Sequence, residues 1–187
     1  VAFMRVEHDP DKRLHTSVSH DRGRNWSPIR REKIKGYPYQ AARLKSGRVL
    51  LAYGYRFEPR GVRARLLDSE CEGIDEAKEL VLRDDGGVND LGYPHVLPLP
   101  DGKYLQMGRQ RNHFVILRHR ADGTLDTTFA DEGTARFTVL ADNDQAWDLA
   151  AAGLPWPRVG ARQAIQQVDG KIVVAGISHN KRLRLKV

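Results

Sequence analysis

Side chains that could bind a metal or act as a nucleophile are scattered along this chain of 187 residues. The seven histidines lack the spacing of a zinc site, and the single cysteine, Cys71, permits neither an internal disulfide nor a thiolate metal cage. Asp142, Asp144 and Asp148 suggest calcium, but the glycine of an EF-hand loop is missing, so a solvated acidic loop is favoured. The serines lack a nucleophile-elbow context. We therefore predict no metal site and no cofactor.

Basic residues offer a different chemistry, the recognition of anions. The formal net charge is +7, and Lys and Arg crowd residues 12–35, 109–120 and 181–186. This balance favours carboxylated sugars, phosphates, nucleic acid or acidic surfaces as partners. Nucleic acid is the least favoured, because the charges alternate with apolar residues along predicted strands and no nucleic-acid-binding motif is present.

Residues 19–26, Ser-His-Asp-Arg-Gly-Arg-Asn-Trp, predict a tight structural turn. Ser19 and Asp21 can accept hydrogen bonds from backbone N–H groups of the turn, and Gly23 can adopt a positive φ. Trp26 can fold back over the turn. We expect its ring to be buried against the turn or the next sheet.

Three segments each predict a pair of apolar strands joined by a Ser-Gly or Asp-Gly turn. They cover residues 42–54, 95–108 and 162–176, and their turn glycines are Gly47, Gly102 and Gly170. Recurrence of a pure β pattern every roughly 40–70 residues is typical of propeller blades.

Further strands are predicted between these hairpins, at residues 2–7, 14–19, 29–33, 62–67, 79–83, 114–120, 135–140 and 182–187. One helix is predicted around residues 145–152. The whole chain is therefore expected to be one all-β repeat domain, a β-propeller or partial propeller of four-stranded antiparallel blades with about four blade equivalents. Two blades are complete, and a partial blade at each end is expected to pair, within one chain or across a homodimer.

No apolar run approaches the ~18–20 residues of a membrane span, so no membrane association is predicted. The chain begins at Val1 rather than Met. Its compartment is left open, since a secreted and a cytoplasmic bacterial protein both fit.

Residues 1–108 resemble the sialidase-like Asp-box (BNR-repeat) propellers. The strings that carry this resemblance are 5–7, 19–26, 36–38, 43–51, 53–56, 61–65, 82–85 and 90–94. A second Asp-box, at residues 67–74, has lost its turn glycine and its tryptophan, and a looser turn is expected there. Within residues 109–187, segment 113–178 is similar to the delta-60 repeat of bacterial surface and secreted proteins, which also forms propellers.

The resemblance to sialidases implies a site for an anionic sugar. Sialidases hold a sugar carboxylate with three arginines, and use a Tyr/Glu pair as nucleophile and an Asp as acid/base. The substrate-binding candidates that this implies are Arg5, Arg56, Arg63 and Tyr55. The catalytic candidates are Tyr93, Glu7 and Asp90.

The expected function is binding of an anionic glycan without full hydrolase activity. The reason is that two sequence regions that carry binding and catalytic residues in sialidases have no match here. If the chain is active, the resemblance implies an exo-glycosidase of the sialidase type. The alternative is a noncatalytic β-propeller repeat scaffold that displays loops to a protein or surface partner.

Overall fold

The computed structural model describes residues 1–86, 94–110, 113–138 and 160–177. Within these ranges the chain forms thirteen strands and no helix, so the predicted all-β class is confirmed. The helix predicted around residues 145–152 and the strand predicted at residues 182–187 lie outside the described residues.

The strands form four successive antiparallel sheets, in which neighbouring strands are also neighbours along the chain. The first sheet has three strands: β1 (Ala2–Arg5), β2 (Arg13–Ser17) and β3 (Arg30–Lys35). The second has four: β4 (Tyr39–Arg43), β5 (Val49–Tyr55), β6 (Gly61–Leu67) and β7 (Glu79–Arg83). The third has four: β8 (His95–Pro98), β9 (Tyr104–Gln110), β10 (His113–His119) and β11 (Thr134–Thr138). The last pairs β12 (Gly160–Gln166) with β13 (Ile172–Ile177). The two predicted four-stranded units are thus confirmed as sheets.

The three predicted hairpin turns share one geometry. Gly47, Gly102 and Gly170 all have φ between 84° and 88°. In each turn the residue three positions before the glycine accepts a hydrogen bond from the glycine N–H, at 2.9–3.1 Å. A side chain with a β-carbon is strained at such φ values, which explains why Ser-Gly and Asp-Gly stand at these positions.

The hydrophobic core lies between the sheets. Leu50 and Ala52 of β5 belong to a cluster shared with Val96 and Tyr104 of the third sheet. The alternate residues Leu51 and Tyr53 belong to a second cluster, which includes Leu14 and Ile34 of the first sheet. A third cluster joins Met107, Phe114 and Ile116 to Ile172 and Val174 of the last sheet. Because side chains alternate along a strand, β5 is buried on both faces.

Contacts between sheets join β1 to β4, β4 to β8, and β12 to both β8 and β9. Stacking of successive antiparallel sheets in this manner is expected for propeller blades. Closure of the sheets into a ring, and with it the number of blades, stays a prediction.

The connections between strands lie at the two opposite ends of the strands, and each end of the sheets is here called an edge. One edge, here called the linker edge, carries residues 6–12, 36–38, 56–60 and 84–86, and the other, the turn edge, carries residues 18–29, 44–48 and 68–78. Hydrogen bonds tie neighbouring sheets at both edges, from Tyr37 N to Gly54 O at 2.9 Å and from Lys45 Nζ to Pro100 O at 2.8 Å.

The turn at residues 19–26 lies on the turn edge and has the predicted hydrogen bonds. Ser19 Oγ accepts from Gly23 N at 2.7 Å, and Asp21 Oδ1 accepts from Asn25 N at 2.8 Å. Gly23 has a φ of 85°, as predicted. These bonds to the ionised carboxylate lower the pKa of Asp21 to about 2, with the backbone N–H of Asn25 as the main cause.

The predicted burial of Trp26 is wrong. Its side chain is 51% exposed, although the indole N–H donates to Gly23 O at 3.1 Å and so holds the ring against its own turn. Among the described residues, no strand lies beyond β3, which follows the turn, in the first sheet to cover the ring.

The turn at residues 67–74 keeps two of these backbone hydrogen bonds without the glycine and tryptophan of the turn at residues 19–26. Asp68 Oδ1 accepts from the N–H groups of Glu70 and Glu72 at 3.0 and 2.9 Å, as Ser19 Oγ does from the residues two and four positions after it. Cys71 has a φ of 62°, matching 61° at Arg22. The side-chain acceptor at the start of the turn is therefore what the two turns have in common.

Candidate functional site

Five of the predicted site residues lie on or near the linker edge. Arg5 ends β1 and Glu7 follows it, Tyr55 ends β5 and Arg56 follows it, and Arg63 lies in β6. The two remaining candidates, Asp90 and Tyr93, lie outside the described residues.

Tyr37 is the residue around which the basic side chains of this edge are arranged. It lies in the short link between β3 and β4, where Gly36 N donates to Lys12 O at 2.9 Å and Tyr37 N donates to Gly54 O at 2.9 Å. A β-carbon on Gly36, whose φ is 136°, would lie 2.7 Å from Gly54 O. Glycine at position 36 therefore allows the link between the first two sheets to lie close against Gly54, and this contact holds the link and its residue Tyr37 in place.

Three cations surround the Tyr37 ring. The guanidinium carbons of Arg5 and Arg56 lie 4.3 and 4.7 Å from the ring centroid, and Lys12 Nζ lies at 5.8 Å. The electron-rich face of the ring attracts cations within about 6 Å. Tyr37 thus gathers positive groups from two sheets, although like charges repel one another.

Glu7 is the counterion of Arg5. Its carboxylate Oε2 lies 2.6 Å from Arg5 Nη2, and the side chains of Arg5 and Glu7 are 36% and 65% exposed. The backbone carbonyl of Glu7 accepts a hydrogen bond from Lys12 Nζ at 3.0 Å. Glu7 therefore contacts two of the cations that surround Tyr37, Arg5 through its carboxylate and Lys12 through its backbone carbonyl.

Asp9 fixes the loop that carries Glu7 and Lys12. Its buried carboxylate accepts two hydrogen bonds from the Arg31 guanidinium, at 2.7 and 2.8 Å. The same guanidinium also donates to Asp11 at 2.9 Å. These bonds from Arg31 hold the pKa of Asp9 well below its usual range, so this carboxylate stays ionised and anchors the loop to β3.

Arg63 does not join Arg5 and Arg56 at Tyr37. Its buried guanidinium donates to the carbonyl oxygens of Arg83 and Pro59, at 2.6 and 3.0 Å, and lies 4.8 Å from the centroid of the Tyr55 ring. These contacts connect β6 to the end of β7 and to the preceding loop. Arg63 consequently has a structural role. Of the three arginines predicted to bind the sugar carboxylate, Arg5 and Arg56 converge on Tyr37.

Tyr55 and Phe57 form an aromatic pair on the same edge as Tyr37. Their ring centroids lie 5.4 Å apart, and Lys35 Nζ lies 5.7 Å from the Phe57 centroid. The linker edge is therefore a partly exposed set of aromatic rings with basic side chains over them.

A tyrosine–glutamate pair lies elsewhere, between β5 and β7. Tyr53 Oη donates to Glu79 Oε2 at 2.6 Å, and Tyr53 is fully buried. Burial, and secondarily this hydrogen bond, raises the pKa of Tyr53 well above its usual value, so the phenol keeps its proton. No substrate can reach it, and the pair stabilises the second sheet.

The turn edge contains a separate pocket of about 630 Å³ between the turns at residues 19–26 and 67–74. Arg30, Arg43 and Cys71 line it, together with Ser19 of the first turn. Arg43 donates to Gly47 O at 2.7 Å and to Ser69 O at 3.1 Å, and burial raises the pKa of the Cys71 thiol. None of the candidates for binding the sugar lies there.

Among the described residues, no group of three or more His, Cys, Asp or Glu side chains is placed to hold a metal ion. In the same part of the chain, no helix has the length and apolar character needed to cross a membrane.

Residues 99–129 contain a second buried carboxylate, Asp126. It accepts hydrogen bonds from Thr128 Oγ1 at 2.7 Å and from Arg118 Nε at 2.8 Å, and Lys103 Nζ lies 3.0 Å away. These partners belong to β10, to the turn before β9 and to the loop after β10. Asp126 thereby connects the elements at the turn edge of the third sheet.

The same segment, residues 99–129, matches the family model described as "Domain of unknown function (DUF5122) beta-propeller". No curated protein matches this chain. A crystal structure of a protein of unknown function from Dyadobacter fermentans DSM 18053 is similar, with 31% identity and a TM-score of 0.53. The match covers 72% of this chain and 33% of that one, so the chain spans about a third of the length of this neighbour.

These comparisons support a propeller-type family for the chain. They support neither the sialidase-like nor the delta-60 assignment, and those two resemblances rest on the sequence strings alone.

Proposed function

We propose that this chain is a noncatalytic β-propeller module that binds a carboxylated sugar at the linker edge. The observation that carries the proposal is the convergence of Arg5 and Arg56 on the Tyr37 ring. Because the ring already restricts the two arginine side chains, a ligand that binds them loses less free energy to their ordering.

A carboxylate is the anion that fits this arrangement best. Guanidinium groups present paired N–H donors that match the two oxygens of a carboxylate. Arg5 already holds one carboxylate, that of Glu7, at 2.6 Å. The neighbouring rings of Tyr55 and Phe57 offer apolar surface for the C–H groups of a sugar.

Hydrolysis is not part of the proposal. Glu7 is paired with Arg5, Tyr53 is fully buried beneath its partner Glu79, and Arg63 is bound to backbone carbonyls. The predicted catalytic roles of Tyr93 and Asp90 remain predictions from the sequence.

A repeat scaffold for a protein partner is the second candidate function. The observation that favours it is the exposure of Val81 and Phe137, on the outer strands β7 and β11, each with more than half of its surface accessible. A protein that covers these side chains would gain apolar contact area.

Titration calorimetry with N-acetylneuraminate, glucuronate and neutral glucose tests the proposal. We expect both carboxylated sugars to bind with millimolar affinity and glucose not to bind. Arg56→Gln should weaken binding about tenfold or more, because a hydrogen bond to a charged group contributes roughly 1.5–3 kcal/mol.

The matched control is Arg24→Gln. Arg24 is exposed in the Asp-box turn, on the opposite edge, and the substitution removes the same charge. Equal weakening by both substitutions would indicate a general charge effect. Absence of binding at millimolar sugar would overturn the proposal and favour the scaffold.

A further inference from the structure

We infer that Glu7 is an internal competitor for the anion site, whose carboxylate holds Arg5 until the carboxylate of a ligand replaces it. This inference rests on the proposed function. It gives Glu7 a role opposite to the catalytic one that the resemblance implies, because a competitor weakens binding and takes no part in a reaction.

The position of Glu7 is the first argument. Its carboxylate Oε2 lies 2.6 Å from Nη2 of Arg5, and Arg5 is at the same time held over Tyr37. A ligand carboxylate that uses both oxygens on this guanidinium, through a pair of N–H groups that includes Nη2, therefore competes with Glu7. Binding in this mode exchanges one carboxylate for another.

The anchoring of the loop is the second argument. The backbone of Glu7 is tied through its carbonyl to Lys12, and the loop is fixed two residues later by the Asp9–Arg31 pair. The Glu7 carboxylate is thereby kept near Arg5 at a high effective concentration. Its own side chain is 65% exposed, so it can turn out into solvent when a ligand arrives.

The size of the competition follows from the exposure of the pair. Exposed ion pairs are weak, and their typical strength corresponds to an open fraction of roughly one half to one fifth. The apparent dissociation constant of a ligand rises in proportion as the open fraction falls. Removal of the Glu7 charge should therefore tighten binding by about two- to fivefold.

The competition also defines the ligand class. A simple carboxylate such as acetate gains nothing over Glu7, since it offers Arg5 the same group without the advantage of being tethered. A ligand that also reaches Arg56 and the aromatic rings gains contacts that Glu7 does not make. We therefore expect selection for a carboxylate carried on a larger polar body, such as a uronate.

The experiment compares the wild-type chain with Glu7→Gln and Glu58→Gln by calorimetric titration of glucuronate and of acetate. Glu58 is the matched control, because it lies on the same edge, is 73% exposed, and pairs with Arg60 at 2.8 Å rather than with Arg5. Both substitutions remove one negative charge and keep the side-chain shape. Circular dichroism at the titration temperature establishes that both variants are folded.

Glucuronate binding that is two- to fivefold tighter in Glu7→Gln, and unchanged in Glu58→Gln, supports the inference. Measurable acetate binding that appears in Glu7→Gln alone supports it further. Equal affinity in the two variants, or weaker binding in Glu7→Gln, overturns the inference and leaves the proposed function standing. Absence of glucuronate binding in all three proteins overturns the proposed function and this inference with it.

Discussion

His119 is a buried histidine whose protonation should destabilise the third sheet. It is 1% exposed, and its ring stacks on Tyr104 with centroids 5.1 Å apart and an interplanar angle of 16°. Nδ1 lies 3.2 Å from Gly123 O, which assigns the proton of the neutral ring to Nδ1. Burial lowers the pKa of His119 from 6.5 to about 4.

The sign of the effect follows from this difference. The folded chain binds the proton more weakly than the unfolded chain, so the stability that the neutral ring contributes is complete above pH about 6.5 and is lost as the pH falls towards 4. The full difference corresponds to roughly 3 kcal/mol. Between pH 7 and pH 5 we expect the free energy of unfolding to fall by about 2 kcal/mol through His119 alone.

Urea unfolding at pH 7 and pH 5 measures this loss in the wild-type chain and in two variants. His119→Phe keeps the stacking on Tyr104. His119→Asn keeps a donor for Gly123 O. Each variant is compared with itself at the two pH values, so any constant loss of stability cancels. If all three proteins lose the same stability between pH 7 and pH 5, the assignment of the effect to His119 is refuted.

Three further substitutions test the packing. Gly61→Ala should lower the free energy of unfolding by more than about 3 kcal/mol, because the new β-carbon would lie 1.8 Å from Arg83 O. Gly108→Ala, where a β-carbon would meet nothing within 4 Å, should change it by less than about 1 kcal/mol. Similar urea midpoints for the two variants would contradict this account. Trp26→Ala should cost about 1–2 kcal/mol rather than the ~3–5 kcal/mol of a buried aromatic, because half of the ring is exposed; thermal unfolding distinguishes the two ranges.

The strands and turns were predictable because their causes are local. Asp-Gly and Ser-Gly at residues 101–102 and 46–47 require a turn whatever lies around them, and alternation of apolar residues defines the neighbouring strands. The hydrogen bonds of the turn at residues 19–26 were predictable for the same reason, since Ser19 and Asp21 bond to groups two to four residues away.

The site was less predictable because its contacts join residues distant in the sequence. Tyr37 becomes the centre of a cluster of cations only because Arg5 and Arg56 reach its ring from two sheets. The only signal for this residue in the sequence was its place in the Gly-Tyr-Pro string. Arg63 carries a charge, yet it lies in a strand buried by the neighbouring sheet, where backbone carbonyls satisfy it. Burial of this kind depends on how sheets stack, and periodicity alone does not reveal it.

The placement of the hairpin turns and the Tyr37 cluster on opposite edges has a practical consequence for handling the protein. The turns at Gly47 and Gly102 point away from the linker edge, and a β-carbon at either glycine would meet no atom within 4 Å. A tether or fluorophore attached beside these turns would immobilise the molecule on a sensor chip in a single orientation. The arginine-bearing edge would then face the flowing solution, with its access to ligands unobstructed by the surface.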